Sequence, residues 1–460
     1  MYSTAGTDMT RFRTYNQDQL FLLPPSLNDW LKENHVARFI GDVVDSLDLS
    51  EIIQTYKHKD ERGYPAYHPA MMLKLLIYGY SKGICSSRKI AAACEDDVAF
   101  RVLSSNQHPD HDSITRFRRK HLKEFKNLFL QVLKLAEAAG LVKLGHVALD
   151  GSKIKANASK NKAMSYGRMI ETEKRLKQEI VELTKLADQT DAEEDRKYGK
   201  GKRGDELPEE LARRESRLKK IQEAKAALEA QAVEQAEAEL REKHKDDCSQ
   251  PPTDDSSTKN ISPDDKAQRN FTDPESRIMR DGRSKSFEQC YNVQTVVDDT
   301  AQIIVAADVT QEGNDKKQLL PMTRQISANI GELPQALSAD AGYFSEDNLT
   351  SQELESIDLY IPPNRLKHST KTSVAKTGRI PKNIKTTDRM RRKLSTIKGK
   401  AIYSRRKCIV EPVFGHIKEA RGFRRFSLRG LEKVKSEWNL VCLVHNIAKL
   451  FTNGWRPCSA

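Results

Sequence analysis

Apolar residues recur at helical spacing through the first third of the chain. A flexible leader, residues 1–25, ends in Pro24-Pro25. Ser26 can cap a helix through Leu27, Trp30 and Leu31. Val36, Phe39, Ile40, Val43, Val44 and Leu47 predict a second helix. Pro69 opens a third, PAMMLKLLIYGYSKG, which Gly83 breaks. SSRKIAAACEDD reads as a short helix capped by Ser86 or Ser87. HDSITRFRRKHLKEFKNLFLQVLKLAEAAG reads as one long helix, capped by Asp112 or Ser113 and stopped by Gly140. Residues 26–140 are thus expected to form an all-helical domain.

From Gly145 the period changes. HVALDG is a strand pattern ending at Asp150, and CYNVQTVVDD with AQIIVAADVT forms a hairpin pattern. A helix ending at Gly331, a short strand QALSADAG, a helix capped by Ser345, a strand IDLYIPP and a further helix through RRKCIVEPVFGHIKEARGF follow. Residues 145–160 and 286–452 therefore read as one α/β domain with a mixed sheet. Residues 161–285 interrupt it. Leu176, Ile180 and Leu183, then Leu211, Leu218, Ile221 and Leu228, keep a heptad-like spacing. They predict a long antiparallel helical hairpin joined by DRKYGKGKRGDELP, with DDCSQPPTDDSSTKNISPDD as a flexible linker. A dimer contact, a DNA contact and a plain spacer all remain open for this hairpin. Trp438, Leu440, Val441, Leu443, Val444, Ile447 and Leu450 form an apolar stripe read as core.

Charge narrows the class of partner. Lys and Arg number 78 against 65 Asp and Glu, a formal net charge of +13. Such a balance favours an anionic partner, most commonly nucleic acid. Arg116, Arg118, Arg119, Lys120 and His121 would give the long helix a basic face, in a helix-turn-helix-like arrangement that could contact phosphate. The seven scattered cysteines have no C-x-x-C pair, so neither a zinc site nor a disulfide framework is expected. The first residues lack the apolar core of a signal peptide, and no run approaches the roughly 18 apolar residues of a membrane span. A cytoplasmic, soluble protein is expected.

Three acids stand out by position: Asp150 and Asp340 at strand ends, and Glu411 at the start of a helix. Acids at the carboxyl ends of two strands of an open sheet can meet, and a third from a helix would complete an oxygen cage. Such a cage suits Mg²⁺ or Mn²⁺. Two such ions about 4 Å apart can activate an attacking hydroxyl and stabilise the leaving oxygen of a phosphodiester. Asp308 also ends a strand and is a rival to Asp340. Tyr291, Asn292 and Gln294 either line the site or face a neighbouring strand, and His416 and His445 read as packing residues.

VALDGSKIKANAS, MRDGRSKSFEQCYNVQTVVDD, LSADAGYFSEDNL and the long run from Tyr403 to Leu450 together resemble the DDE transposases of bacterial insertion sequences. The N-terminal SKGICSSRKIAAACEDDVAFRVL and PDHDSITRFRRKH resemble the helical domain that precedes their core. The resemblance implies a ribonuclease H-like catalytic fold. It also implies divalent metal on Asp150, Asp340 and Glu411, as two ions, with double-stranded DNA as partner and at least a homodimer on it. Around the glutamate that family carries a Tyr, Arg, Glu, Lys signature. Glu411 and Lys418 keep its seven-residue spacing, placing both on one face of a regular helix. Tyr403 and Arg406 are present, but Arg406 stands one residue too far from Glu411, and Lys407 holds the usual spacing. Ser152, Lys153, Lys155, Lys418, Arg421, Arg424, Arg425 and Arg429 would follow the DNA backbone. The implied activity is cleavage and strand transfer at terminal inverted repeats. The alternative is a catalytically inactive DNA-binding repressor derived from such an enzyme; a scaffold built on residues 165–245 is a weaker third reading.

Overall fold

A computed structural model describes residues 26–56, 65–198, 206–244, 262–280, 285–364 and 384–457. The leader, residues 199–205 of the hairpin loop and most of the linker lie outside the described residues. Of the seven cysteines, Cys248 and Cys458 also lie outside them; the others form no disulfide.

After one 3₁₀ turn at Leu27–Trp30 come α1 (Val36–Ser46), α2 (Ser50–Gln54), α3 (Pro69–Ser81), α4 (Ser87–Asp96), α5 (Val98–Leu103), α6 (His111–Lys120) and α7 (Glu124–Ala138). The single long helix expected from residue 111 onward is two helices. His121 turns its ring inward against Phe117 and bonds Tyr56 at 3.0 Å, and the chain bends there. Asp110, rather than Asp112 or Ser113, caps α6.

The strand β1 (His146–Lys155) leads into β2 (Ala163–Ser165), then the hairpin helices α8 (Tyr166–Tyr198) and α9 (Glu206–His244), β3 (Gln268–Asn270) and β4 (Arg277–Arg280). Next come β5 (Phe287–Asp298), β6 (Ile304–Thr310), α10 (Leu319–Ile330), β7 (Ala336–Ala339), α11 (Glu346–Thr350) and β8 (Asp358–Tyr360). The chain closes with α12 (Thr386–Ser395), α13 (Ile397–Ile409), α14 (Glu411–Gly415) and α15 (Leu431–Thr452).

The main sheet runs β6, β5, β1, β7, β8, with β4 also paired to β5. β5 is antiparallel to β1 and to β6, whereas β7 and β8 run parallel to β1. β4 lies inside the stretch read as insertion and linker, yet it pairs with β5 in the main sheet. The hairpin carries a small core of its own, from Tyr166, Met169 and Leu176 against Ile221, Ala224 and Leu228. It stands on the two-stranded sheet of β2 and β3.

The apolar stripe of α15 is wider than one face. Its residues pack against β6 on one side and against α1, α3 and α7 on the other. A helix covered on opposite sides must be apolar nearly all round. The helical N-terminal part and the sheet consequently share one continuous core. Buried Glu437 on α15 fastens the joint, accepting from the Tyr80 hydroxyl at 3.0 Å and from the Leu428 amide at 3.1 Å.

Candidate active site

β1 does not end at Asp150, as its apolar run suggested. It pairs with β5 along its whole length to Lys155, but with β7 only from His146 to Leu149. The last parallel pair is Leu149 with Ala339. The next residue on each strand is an aspartate, so Asp150 and Asp340 stand where β1 and β7 part. The backbone groups freed at this fork are satisfied locally. Asp150 Oδ1 accepts from the Gly151 amide at 2.9 Å, and Asp340 Oδ1 accepts from the Gly342 amide at 2.8 Å.

The third acid arrives through Arg406. Arg406 Nη1 donates to Asp150 Oδ2 at 3.1 Å, and its Nη2 lies 3.5 Å from Glu411 Oε1. The guanidinium is buried, and Tyr403 lies beside it. Lys407 is exposed on α13. The extra residue between Arg406 and Glu411 falls where α13 gives way to α14. Pro412, with no amide hydrogen, divides the two helices and lets Glu411 begin a new one.

Burial pushes the Asp150 carboxyl up to about 6; Arg406 opposes this, and Asp340 and Asp315 add to it. A cation would relieve such crowding. The donors are hard carboxylate oxygens, so the residue types fit Mg²⁺ or Mn²⁺. Among the described residues, no three acidic or other ligating side chains already form a closed cage. Asp150 and Glu411 instead share the Arg406 guanidinium, and Glu411 remains half-exposed.

Lys418 does not share a regular helical face with Glu411. α14 stops at Gly415, and a π-helical turn, His416–Ala420, changes the phase. Lys418 Nζ donates to the Ser152 hydroxyl and, at 2.8 Å, to the Lys153 carbonyl. It ties the helix end to β1. Lys155 pairs with Glu288 at 3.2 Å, and Lys153 lies 3.9 Å from Asp315. Arg424 and Arg425 are exposed, on a segment bridged to the end of β1 through Lys155. Arg429 donates to the Asn157 carbonyl at 2.9 Å.

Two arginines expected on a DNA-facing surface are interior. Arg118 is buried and donates to Tyr80 Oη at 3.1 Å and to the Cys85 carbonyl at 3.0 Å. Its helix places it on the packed side, next to Ile114 and Phe117, while Arg116 and Arg119 are exposed beside an open pocket of about 800 Å³ that Tyr56 and Tyr67 also line. Arg421 is buried against α15, contacting the Val444 carbonyl at 3.4 Å, and burial lowers its pKa to about 10. The charge pattern counted these residues as surface because helical phase alone does not reveal which face meets a neighbour.

Asp308 is not at the fork; it pairs with Lys435 of α15 at 3.2 Å. Tyr291 turns away to bond Asp273 at 2.8 Å. His416 and His445 do pack together, with ring centroids 6.0 Å apart. Asn292 and Gln294 face Asp315, a fourth acid near the fork that the sequence reading passed over. Its only signal was a Gly-Asn-Asp turn before α10, which reads equally well as a helix start.

These features describe a mixed α/β protein with paired aspartates at the mouth of its central strands. Residues 25–120 match the family described as a transposase domain (DUF772), and residues 262–447 match the transposase DDE domain. The chain belongs to the DDE transposases of insertion sequences, a family that generally uses divalent metal ions. No curated protein and no solved structure shows significant similarity to it. No described helix is long and apolar enough to cross a membrane.

Proposed function

We propose that this transposase binds the terminal inverted repeats of its own element as a dimer or larger assembly. There it cleaves phosphodiester bonds and transfers the freed strand to target DNA. The observation that carries this reading is the fork of β1 and β7, with Asp150 and Asp340 one residue beyond the last parallel pair and Glu411 joined to Asp150 through Arg406. The strand order, three antiparallel strands followed by two parallel to the first, supports a ribonuclease H-like core.

Asp150, Asp340 and Glu411 would hold one or two Mg²⁺ or Mn²⁺ ions. Such ions, when bound, activate a water or 3′-hydroxyl and neutralise the leaving oxygen. The chain's own residues orient the substrate. Exposed Arg424 and Arg425 follow the end of β1 as a basic track, and Arg116 and Arg119 offer a second, sequence-independent grip on phosphates. Lys153, Lys155, Tyr403 and Lys407 extend or support the path near the acids, and Lys418 holds β1 in place beside it.

The test is cleavage of DNA carrying the element's ends, with Mg²⁺ or Mn²⁺, beside Asp340→Asn. Metal-dependent cuts that fall at least about a hundredfold in the variant support the reading. Specific binding without cleavage in either metal would make the protein the inactive DNA-binding form instead.

A further inference from the structure

Asp315 lies on the loop between β6 and α10. Its Oδ1 accepts from Asn292 Nδ2 at 2.6 Å and from Gln294 Nε2 at 2.8 Å. Both amides project from β5, opposite Lys153 and Gly151 of β1. Gln294 in turn accepts, through Oε1, from the buried Tyr343 hydroxyl. Tyr343 closes the turn that begins at Asp340, its amide donating to the Asp340 carbonyl at 3.3 Å.

The polarity of this chain of bonds has a physical origin. A glutamine amide can point either way, but an ionised carboxylate only accepts. Asp315 therefore fixes the NH₂ end of Gln294 towards itself, which leaves the carbonyl end for Tyr343. The space for the network comes from two glycines that follow the catalytic aspartates. A Cβ on Gly151 would lie 2.7 Å from Gln294 Nε2, 2.9 Å from Asp315 Oδ1 and 3.1 Å from Tyr343 Oη. A Cβ on Gly342 would lie 2.9 Å from Asp340 Oδ1 and 3.5 Å from Asp315 Oδ2. The carboxylates of Asp315 and Asp340 thus border one point.

We propose that Asp315 is a positioning residue of the catalytic centre: through Gln294 and Tyr343 it fixes the turn that presents Asp340. This rests on the functional reading above, in which Asp340 holds metal. Groups that orient a metal-binding carboxylate commonly matter for affinity almost as much as the ligand itself.

The experiment is Mn²⁺ binding to the full-length protein without DNA, followed by electron paramagnetic resonance, for the unaltered chain, Asp340→Asn, Asp315→Ala, Tyr343→Phe and the Asp315→Ala/Tyr343→Phe double variant. Thermal melts check that each is folded. Asp315→Ala and Tyr343→Phe are each expected to weaken Mn²⁺ binding about tenfold or more. The double variant should lose little beyond either single change, because both cut one link. Tyr343→Phe leaves Asp315 in place, so it decides the matter if Asp315→Ala does not fold. Unaltered Mn²⁺ affinity in Asp315→Ala or Tyr343→Phe, with binding lost in Asp340→Asn, overturns this inference alone; so do fully additive losses. An unaltered chain that binds no Mn²⁺ overturns the functional reading as well.

Discussion

Arg406 donates to the Asp150 carboxylate at 3.1 Å across 256 residues of sequence, and the same guanidinium reaches Glu411. A helix cation thus holds the first acid of the site to the third. In the absence of divalent metal it is the counter-charge that a carboxyl buried at the strand fork requires.

Replacing Arg406 with Gln removes that counter-charge while keeping much of the side chain's length. Breaking a buried pair on one side costs about 3 kcal/mol. The melting temperature should therefore drop in EDTA, and Mg²⁺ should recover most of the loss by supplying positive charge at the same place. Arg406→Lys should not behave as the native protein, because one ammonium cannot reach both carboxylates as the planar fork does. An equal drop with and without Mg²⁺ would refute this account of Arg406.

The arginines of α6 should separate by face. Arg116→Ala and Arg119→Ala remove exposed charges, so each should weaken DNA binding across all sequences and lower the salt dependence by about one phosphate contact. Arg118→Ala instead removes a donor from Tyr80, beside buried Glu437. It should cost about 3 kcal/mol of stability in urea unfolding. If Arg118→Ala melted normally but failed to bind DNA, its assignment as a structural residue would be wrong.

Gly83 joins the helical part to the loop after the π-turn. It has φ +76°, and a Cβ there would lie 2.4 Å from the Arg421 carbonyl oxygen. Gly140 has a similar φ of +70° with nothing within 4 Å. Gly140→Ala should carry only the backbone penalty, about 1–2 kcal/mol. Gly83→Ala should cost that plus a steric term of about 1–3 kcal/mol. Equal urea midpoints for the two variants would mean that the Gly83 contact relaxes freely.

His445 gives the protein an acid-sensitive term. Burial, reinforced by Arg421, lowers its pKa from 6.5 to about 3, while its ring bonds the Gln302 carbonyl at 3.0 Å. Between those values the unfolded chain takes up a proton that the native ring refuses. Stability is therefore complete above about pH 6.5 and falls as pH drops, by up to about 1.4 kcal/mol per pH unit for this one group. His445→Gln removes this titration and can still donate to Gln302. Between pH 6 and 4 its unfolding free energy should fall less steeply than that of the native protein, by about that slope. Identical slopes would show that His445 takes up its proton without unfolding.

Much of the architecture was legible in order along the chain. Period-3.6 stripes gave α1, α3, α10 and α15, and the strand patterns gave β5, β6, β7 and β8, because each element buries a face that repeats locally. The heptad spacing located the hairpin helices for the same reason. Asp150, Asp340 and Glu411 stood out because acids abut apolar runs, two of them at the ends of strand patterns and one at a helix start.

What the sequence could not express depends on pairing between distant segments. Asp150 became an interior residue of β1 because β5 continues beside it after β7 has left. The reach of Arg406 depended on Pro412 dividing a helix that periodicity alone would continue. Arg118 became an interior donor because Tyr80 and the Cys85 carbonyl close over it, and Arg421 because α15 covers its side of the fold. Asp315 came to the fork only through the register of β1 and β5, which sets Gln294 opposite Gly151. The local pattern of the chain determined its elements and its acids. Tertiary pairing decided which charges meet and which are buried, because burial and counter-charge belong to neighbours brought together from far along the sequence.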